Sequence, residues 1–258
     1  MRKKECEIRN HHHYATKGTW HTACRPLVLS LWQKACRPLV LSFIIFHLSF
    51  SPAGAQSPRE WRDSLAVLNK MISAQPQSTD LRLKKAAVNI ELQQWEYAVE
   101  EYGRVLELDS KSPAALYFRA YCYNHLRRYD MARADYERFL QIVPRHFDAQ
   151  LGLAMTKRYL GKTLETQDEL NRLVALYPDS ALAYAARADF EQEQKQYDLA
   201  LYDWDEALRL RPGQQDFLLS KYNVLWSMKR YDEARHLQDE LLKAGMPRTL
   251  FNNRKNVK

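Results

Sequence analysis

Apolar residues recur along this chain at helical spacing, and the same arrangement of apolar and polar positions returns with a fixed period of 34. One copy, YDMARADYERFLQIVP at residues 129–144, opens with an aromatic residue, has a small residue three positions later and stops at Pro144. Apolar residues three and four positions apart indicate an amphipathic helix, and proline ends a helix because it lacks the backbone N–H. The pattern therefore predicts one helix that recurs at a fixed interval.

The copies share three columns when they are aligned at this period: an aromatic start, a small residue where two helices can approach closely, and a stop. The starts are Trp61, Trp95, Tyr129, Thr163, Tyr197 and Tyr231. The small residues are Ser64, Ala98, Ala132, Thr166, Ala200 and Ala234. The stops are Pro76, Ser110, Pro144, Pro178, Pro212 and Met246.

A second helical pattern lies between each stop and the next start, as in AALYFRAYCYNHLRR. It has a small column of its own, at Ala86, Ala120, Ala154 and Ala188, with Tyr222 as the exception. Each unit is therefore predicted to be two helices joined by a short turn. One such hairpin cannot bury both of its apolar faces, so we expect five hairpins to stack on one another behind a lone first helix.

These columns resemble the tetratricopeptide repeat, a helix-turn-helix unit of about 34 residues with aromatic, small and terminal proline positions. The resemblance covers about residues 61–246, and its weakest unit is the third, which has Thr163 and Thr166 in place of the aromatic residue and the alanine. It implies an all-α fold, a right-handed α-solenoid in which the first helix of each hairpin lines a concave groove.

The chain divides into four parts on these patterns. They are a leader at 1–55, an N-terminal capping helix or half repeat at 56–78, five tetratricopeptide repeats at 79–246 and a C-terminal basic tail at 247–258, whose first residues are candidates for a short cap.

The leader has the composition of a signal peptide. Lys34 and Arg37 precede an apolar run at 39–50, and small residues at 53–55 suit cleavage before Gln56. The leader also contains most of the net charge of +8, with eight Lys/Arg against two Asp/Glu, and three of the four cysteines. We therefore expect export, to a bacterial periplasm, of a nearly neutral protein without an internal disulfide. The alternative is an uncleaved signal anchor in the inner membrane, which would be the only contact with a membrane.

The repeats show no pattern of catalytic or metal-binding residues. His125, His146 and His236 have no zinc-type spacing, so we expect no metal site, no cofactor and no enzymatic activity. Carboxylates such as Asp203 and Asp205 fall on helical patterns that are typical of a solvated face. Cys122, beside the small column, is expected to be a buried core residue.

The resemblance directs attention to the groove. Carried over position by position, it turns inward Tyr117, Tyr121, Asn124, His125, Met155, Arg158, Tyr159, Asp189, Gln192, Asn223 and Trp226. This lining suits an extended peptide or a helix of another protein, with Arg158 as an anchor for a carboxylate. Each of these residues could equally pack between adjacent first helices.

Some members of the family hold a C-terminal carboxylate in a clamp of Lys and Asn, but the matching positions here are Leu83, Ala87 and Phe118, so no such clamp is expected. The leading hypothesis is a non-enzymatic scaffold or adaptor that binds other proteins. The alternatives are a helical-repeat binder of single-stranded nucleic acid, which the nearly neutral charge of 56–258 opposes, a signal-anchored membrane-assembly factor, and an enzyme with a site that the sequence does not reveal.

Overall fold

The computed structural model of the protein describes residues 57–254. The leader at 1–55, with its expected signal peptide or signal anchor, its cysteines and most of its net charge, lies outside the described residues, as do the last four residues of the basic tail.

Eleven α-helices and a C-terminal 3-10 helix make up the described residues, which contain no β-strand. The fold is an all-α solenoid, and each repeat consists of a first and a second helix. The lone N-terminal helix is α1 (Pro58–Ala74). Repeats 1 to 5 are α2 (Thr79–Glu91) with α3 (Trp95–Leu108), α4 (Pro113–His125) with α5 (Tyr129–Ile142), α6 (Phe147–Tyr159) with α7 (Thr163–Leu176), α8 (Ala181–Glu193) with α9 (Tyr197–Leu210), and α10 (Gln215–Ser227) with α11 (Tyr231–Lys243).

Local signals in the sequence explain where α1 begins. The Ser57 hydroxyl accepts a hydrogen bond from the Glu60 backbone N–H at 3.4 Å, and the Glu60 carboxylate accepts one from the Ser57 backbone N–H at 2.7 Å. Together they form a capping box, which satisfies N–H groups that have no partner within the helix. Pro58 occupies the first turn, where its missing N–H costs nothing.

The turn inside each repeat has the same left-handed residue, at positions 34 apart. These residues are Gln93, Arg127, Gly161, Lys195 and Lys229, with φ between 57° and 72°. The residue that follows donates its backbone N–H back into the first helix, as Gln94 does to the Asn89 carbonyl at 2.8 Å. This is the bond that closes a helix in a Schellman motif. Because it recurs in all five described repeats, the two helices meet in the same way each time.

The predicted small columns lie in the core. Ala98, Ala132, Thr166, Ala200 and Ala234 are fully buried, and so are Ala86, Ala120, Ala154 and Ala188, whereas Ser64 on α1 is half-buried. Thr166 fits the weakest unit because its hydroxyl donates to the Lys162 carbonyl at 2.9 Å. Cys122 is a buried free cysteine, as expected, and burial raises the pKa of its thiol. Close packing through these columns accounts for the stacking of the hairpins.

One expectation about the carboxylates was wrong. Asp203 is 1% exposed and accepts two hydrogen bonds from Arg187, whereas Asp205 is on the exposed side of the same helix. Asp203 belongs to a column of acids that recurs every 34 residues. The residues 34, 68 and 102 positions earlier are also acidic, and each faces a basic side chain on the first helix of its own repeat. The pairs are Glu101 with Arg82 and Lys85, Asp135 with Arg119, Glu169 with Lys157, and Asp203 with Arg187.

The two ends of the solenoid differ. At the N-terminal end, α1 contacts α2 but contains no buried residue. At the C-terminal end, the 3-10 helix Arg248–Arg254 places Phe251, 4% exposed, edge-to-face against Tyr222 at 5.1 Å between ring centres, while Leu250 stays 49% exposed. The last repeat is therefore covered by an aromatic side chain, and the first helix is not.

Within residues 57–254, no helix is both long and apolar enough to cross a membrane.

Candidate functional site

All the residues predicted to line the groove lie on first helices. Four are on α4, three on α6, two on α8 and two on α10. Tyr159 is the most open of them, 63% exposed, and the others are half-buried. The structure divides them into small groups of contacting side chains, most of which join two helices.

An aromatic group joins repeats 1 and 2. The His125 ring stacks on Trp95 at 3.9 Å between ring centres and lies 4.6 Å from Tyr121, which also meets the edge of Trp95 at 6.0 Å. Offset-stacked and edge-to-face aromatic pairs stabilise packing beyond the apolar area that they bury. Trp95 belongs to the preceding repeat, so Tyr121 and His125 have defined positions before any ligand binds.

A second contact joins the first helices of repeats 2 and 3. The Thr156 hydroxyl lies 3.0 Å from Asn124 Oδ1 and 2.6 Å from the Gly152 carbonyl oxygen. Asn124 is thereby oriented by α6, although it lies on α4.

A charged group joins repeats 3 and 4. Arg158 donates from Nε to Glu193 at 2.6 Å and from a terminal nitrogen to Asp189 at 2.8 Å, and the Met155 sulfur lies 4.0 Å from the same terminal nitrogen. Burial acts to lower the pKa of the Arg158 guanidinium, but the two carboxylates outweigh it and raise that pKa above its usual value. Arg158 was expected to anchor a carboxylate of a ligand. In the structure it binds two carboxylates of its own chain, so a ligand carboxylate would compete with them for the guanidinium.

Among the remaining predicted residues, two tyrosines pack against helix α5. Tyr117 packs against Tyr136 and Phe139 of α5 and against His146, so it joins the two helices of its repeat. Tyr159 stacks on Tyr129 at 5.0 Å and keeps one face open.

At the C-terminal end of the row, Trp226 lies between Tyr222 and Tyr231. The amide residues Gln192 and Asn223 are half-buried on α8 and α10, and the side-chain oxygen of Gln192 is buried without a hydrogen-bond partner within the described residues.

Trp95, Thr156 and Glu193 belong to these groups but were not predicted as site residues. Trp95 was identified only as the start of its helix, and Thr156 occupies the position of Cys122 in the next repeat, 34 residues later. Glu193 occupies the position of His125 and Tyr159 in its repeat, since these three residues are 34 apart. The period could therefore have identified Glu193.

Nothing in the described residues forms a metal centre, since no group of three His, Cys, Asp or Glu side chains could hold a metal ion there. Of the clamp positions, Phe118 is buried and stacks on Tyr102 at 6.1 Å between ring centres.

Two family models match the chain, and both are described as tetratricopeptide repeat. One covers residues 83–147 and the other residues 148–180. They support tetratricopeptide repeats over residues 83–180. Among curated proteins, peptidyl-prolyl cis-trans isomerase FKBP4 from Bos taurus is 31% identical over 88 residues, which make up 34% of this chain and 19% of the isomerase. The chain thus spans about a fifth of the length of that relative.

Solved structures agree on the fold. YrrB, described as a TPR protein with an unusual peptide-binding site, has a TM-score of 0.58 at 19% identity, over 74% of this chain and 98% of YrrB. PilW, described as a widely conserved type IV pilus biogenesis factor, has a TM-score of 0.62 at 18% identity, over 71% of this chain and 85% of PilW. At these identities the likeness is one of architecture.

Proposed function

We propose that this array of tetratricopeptide repeats is a non-enzymatic scaffold or adaptor, which binds an extended peptide or a helix of another protein along the row of first helices. Repeat solenoids bind along their concave surfaces. The observation that supports the proposal most directly is the set of side-chain contacts between first helices. Asn124 with Thr156 joins α4 to α6, and Arg158 with Asp189 joins α6 to α8. The surface is thus organised before a partner arrives, which lowers the entropic cost of binding.

The chemistry of the row suits a polypeptide. Its N-terminal half presents aromatic rings and Met155, which offer apolar area at a small entropic cost. Its centre presents the carboxylates of Asp189 and Glu193, 30% and 51% exposed, which both lie on α8 and both bind Arg158. We therefore expect the bound segment to place apolar side chains near Tyr121 and Tyr159 and a basic side chain near Glu193.

We further propose that the protein acts after export, in a bacterial periplasm. The support is the sequence of the leader, in which basic residues, an apolar run and small residues follow one another. N-terminal sequencing of protein purified from the native host tests this, because cleavage before Gln56 predicts a chain that starts there. A chain that retains the apolar run would point to a membrane anchor instead.

Two tyrosines of almost equal exposure allow a matched test of the groove. Tyr159, 63% exposed, lies on a first helix, and Tyr202, 62% exposed, lies on a second helix. A photo-crosslinking amino acid is placed at each position in the native host, and the captured segments are identified by mass spectrometry. The segment captured at 159 is then synthesised, and its affinity is measured for the wild type, Tyr159→Glu and Tyr202→Glu.

We expect Tyr159→Glu to weaken binding about tenfold, which corresponds to about 1.4 kcal/mol, and Tyr202→Glu to leave it unchanged. Circular dichroism should show equal helix content in all three proteins. Capture only at position 202, or equal losses in both variants, would move the binding surface to the second helices and contradict the proposal.

A further inference from the structure

The lone helix α1 exposes apolar side chains that every repeat buries at the same position. Met71 is 46% exposed. Its counterparts in the five repeats are at most 5% exposed, and they are Val105, Phe139, Leu173, Ala207 and Leu241. In repeat 2, Phe139 contacts Tyr117 of the first helix of the same repeat. Met71 therefore lies on the face that a first helix covers elsewhere, and α1 has no such helix within the described residues.

Val67, one turn before Met71 and 59% exposed, shows that this face differs chemically from those of repeats 1 to 4. Its counterparts in repeats 1 to 4 are the acids Glu101, Asp135, Glu169 and Asp203, each paired with a base on a first helix. In repeat 5 the counterpart is the apolar Leu237, which packs against the cluster that contains Tyr222 and Leu241. An apolar residue at this position forms no ion pair with a base on a first helix. The face of α1 therefore offers an apolar centre in place of the acid of repeats 1 to 4.

Charged residues flank Val67 in a self-complementary order. Helical spacing puts Asp63 four residues before Val67 and Lys70 three residues after it, on the same side of α1, and all three side chains are exposed. If two copies of α1 run antiparallel and cross at Val67, Asp63 of each copy faces Lys70 of the other. Val67 then faces its own copy at the centre, and Met71 lies one turn beyond it, beside Asp63 of the other copy.

We propose that the face of α1 formed by Asp63, Val67, Lys70 and Met71 binds the same face of a second copy of the chain, in an antiparallel and symmetric pair. A two-fold interface requires a self-complementary patch, which this face provides. The helix has 17 residues and is about 25 Å long, so the contact is small and the dimer is weak. We expect a dissociation constant of roughly 10–100 µM.

The chain's own leader is the competing occupant. In register with the repeats, a first helix for α1 would fall at residues 45–57, but this stretch contains Pro52 and Gly54, which disfavour a helix interior. The sequence pattern thus favours a second copy over the leader, and comparing the full chain with residues 56–258 separates the two.

Sedimentation equilibrium and light scattering give the mass as a function of concentration for both chains. Asp63→Lys sets lysine against Lys70 of the partner copy at two symmetric places, and Lys70→Glu sets glutamate against Asp63. Each single variant is expected to raise the dissociation constant at least about tenfold. The double variant exchanges the two charges and is expected to return to within about threefold of the wild type.

Mixing the two single variants gives the sharpest result. A copy with Asp63→Lys has lysine at both positions, and a copy with Lys70→Glu has an acid at both, so the two should pair with each other although neither pairs with itself. Misfolding of a single variant could not produce this rescue. Leu164→Glu is the control, since Leu164 is 82% exposed on α7 and its change should leave the mass unchanged.

Three results would overturn the proposal: a monomer at several hundred micromolar for both chains, a dimer of residues 56–258 with a full chain that stays monomeric, or a dimer that neither single charge variant weakens. The second result would assign the face to the leader. None of the three bears on the groove, which the peptide measurement tests separately.

Discussion

Arg187 and Asp203 join the two helices of repeat 4 through two parallel hydrogen bonds, 2.6 Å from Nε and 2.8 Å from a terminal nitrogen. Arg119 binds Asp135 in the same way two repeats earlier, at 2.7 and 2.8 Å. Such forked pairs are stronger and more directional than a single hydrogen bond. Both acids are nearly inaccessible to solvent, so each depends on its arginine to balance a buried charge.

Replacing Asp135 by alanine should therefore destabilise the protein by about 3 kcal/mol, because Arg119 loses its buried partner. Asp130→Ala is the control, since Asp130 is 78% exposed in its ion pair with Arg133, at 3.7 Å, and should cost less than about 1 kcal/mol. Urea denaturation of both variants gives the two free energies of unfolding. Equal losses would show that burial of the pair adds nothing.

Two helical glycines should respond in opposite directions to alanine. A Cβ atom at Gly152 would lie 2.7 Å from the Tyr136 ring, which is buried, so Gly152→Ala should cost about 1–3 kcal/mol. A Cβ atom at Gly103 would meet only the end of Arg119 at 3.8 Å, so Gly103→Ala should stabilise α3 by about 0.5–1 kcal/mol. Thermal denaturation of the two variants distinguishes them by the sign of the change.

Glu191 should make the protein less stable as the pH rises towards neutrality. Burial, and then the neighbouring Asp203, raise the pKa of its carboxyl to about 7, while Arg187 and Gln167 act to lower it. Because its pKa in the folded state exceeds its unfolded value, the folded protein binds the proton more tightly, and stability is lost as the pH rises from about 4.5 through about 7.

Glu191→Gln removes this dependence. The difference in unfolding free energy between pH 5 and pH 8 should narrow by on the order of 2 kcal/mol, with the gain at pH 8. Glu107→Gln, on an exposed position of α3, serves as the control. A variant whose pH profile matches the wild type would show that Glu191 stays ionised in the folded protein.

The C-terminal 3-10 helix should stabilise repeat 5 through one ring. Phe251→Ala should lower the free energy of unfolding by about 3 kcal/mol, because the ring is buried against Tyr222. Its neighbour Leu250 is about half exposed, so Leu250→Ala should cost less than about 1 kcal/mol. Limited proteolysis provides a second measurement, with faster cleavage near α11 expected in Phe251→Ala alone.

The 34-residue period predicted the fold because the residue types that repeat lie where helices pack together or end. The small columns at Ala98 and Ala86 mark places where two helices touch, and Pro144 marks a stop that the backbone itself requires. The buried acids were misjudged because a carboxylate on an amphipathic helix normally faces water. Their signal was nevertheless present in the sequence, since Lys85, Arg119 and Arg187 all precede an acid of the column by the same interval.

The sequence predicted on which helices the groove residues lie, but only partly which contacts their side chains make. Spacing along a helix placed Tyr117 and Arg158 on the first helices. It could not predict that Tyr117 packs on α5 or that Arg158 binds Asp189, because these contacts depend on how the repeats are rotated against one another. The period marks the position of Glu193, but its contact with Arg158 is known only when the neighbouring helix is in place.

The acidic column has a thermodynamic consequence, because each of its ion pairs closes a single repeat. A linear array is described by an intrinsic stability for each repeat and a coupling between neighbours. Salt should screen these buried pairs only weakly. Removing a column acid should instead weaken the first quantity, since both partners of every column pair belong to one hairpin, and should leave the coupling between neighbouring repeats nearly unchanged.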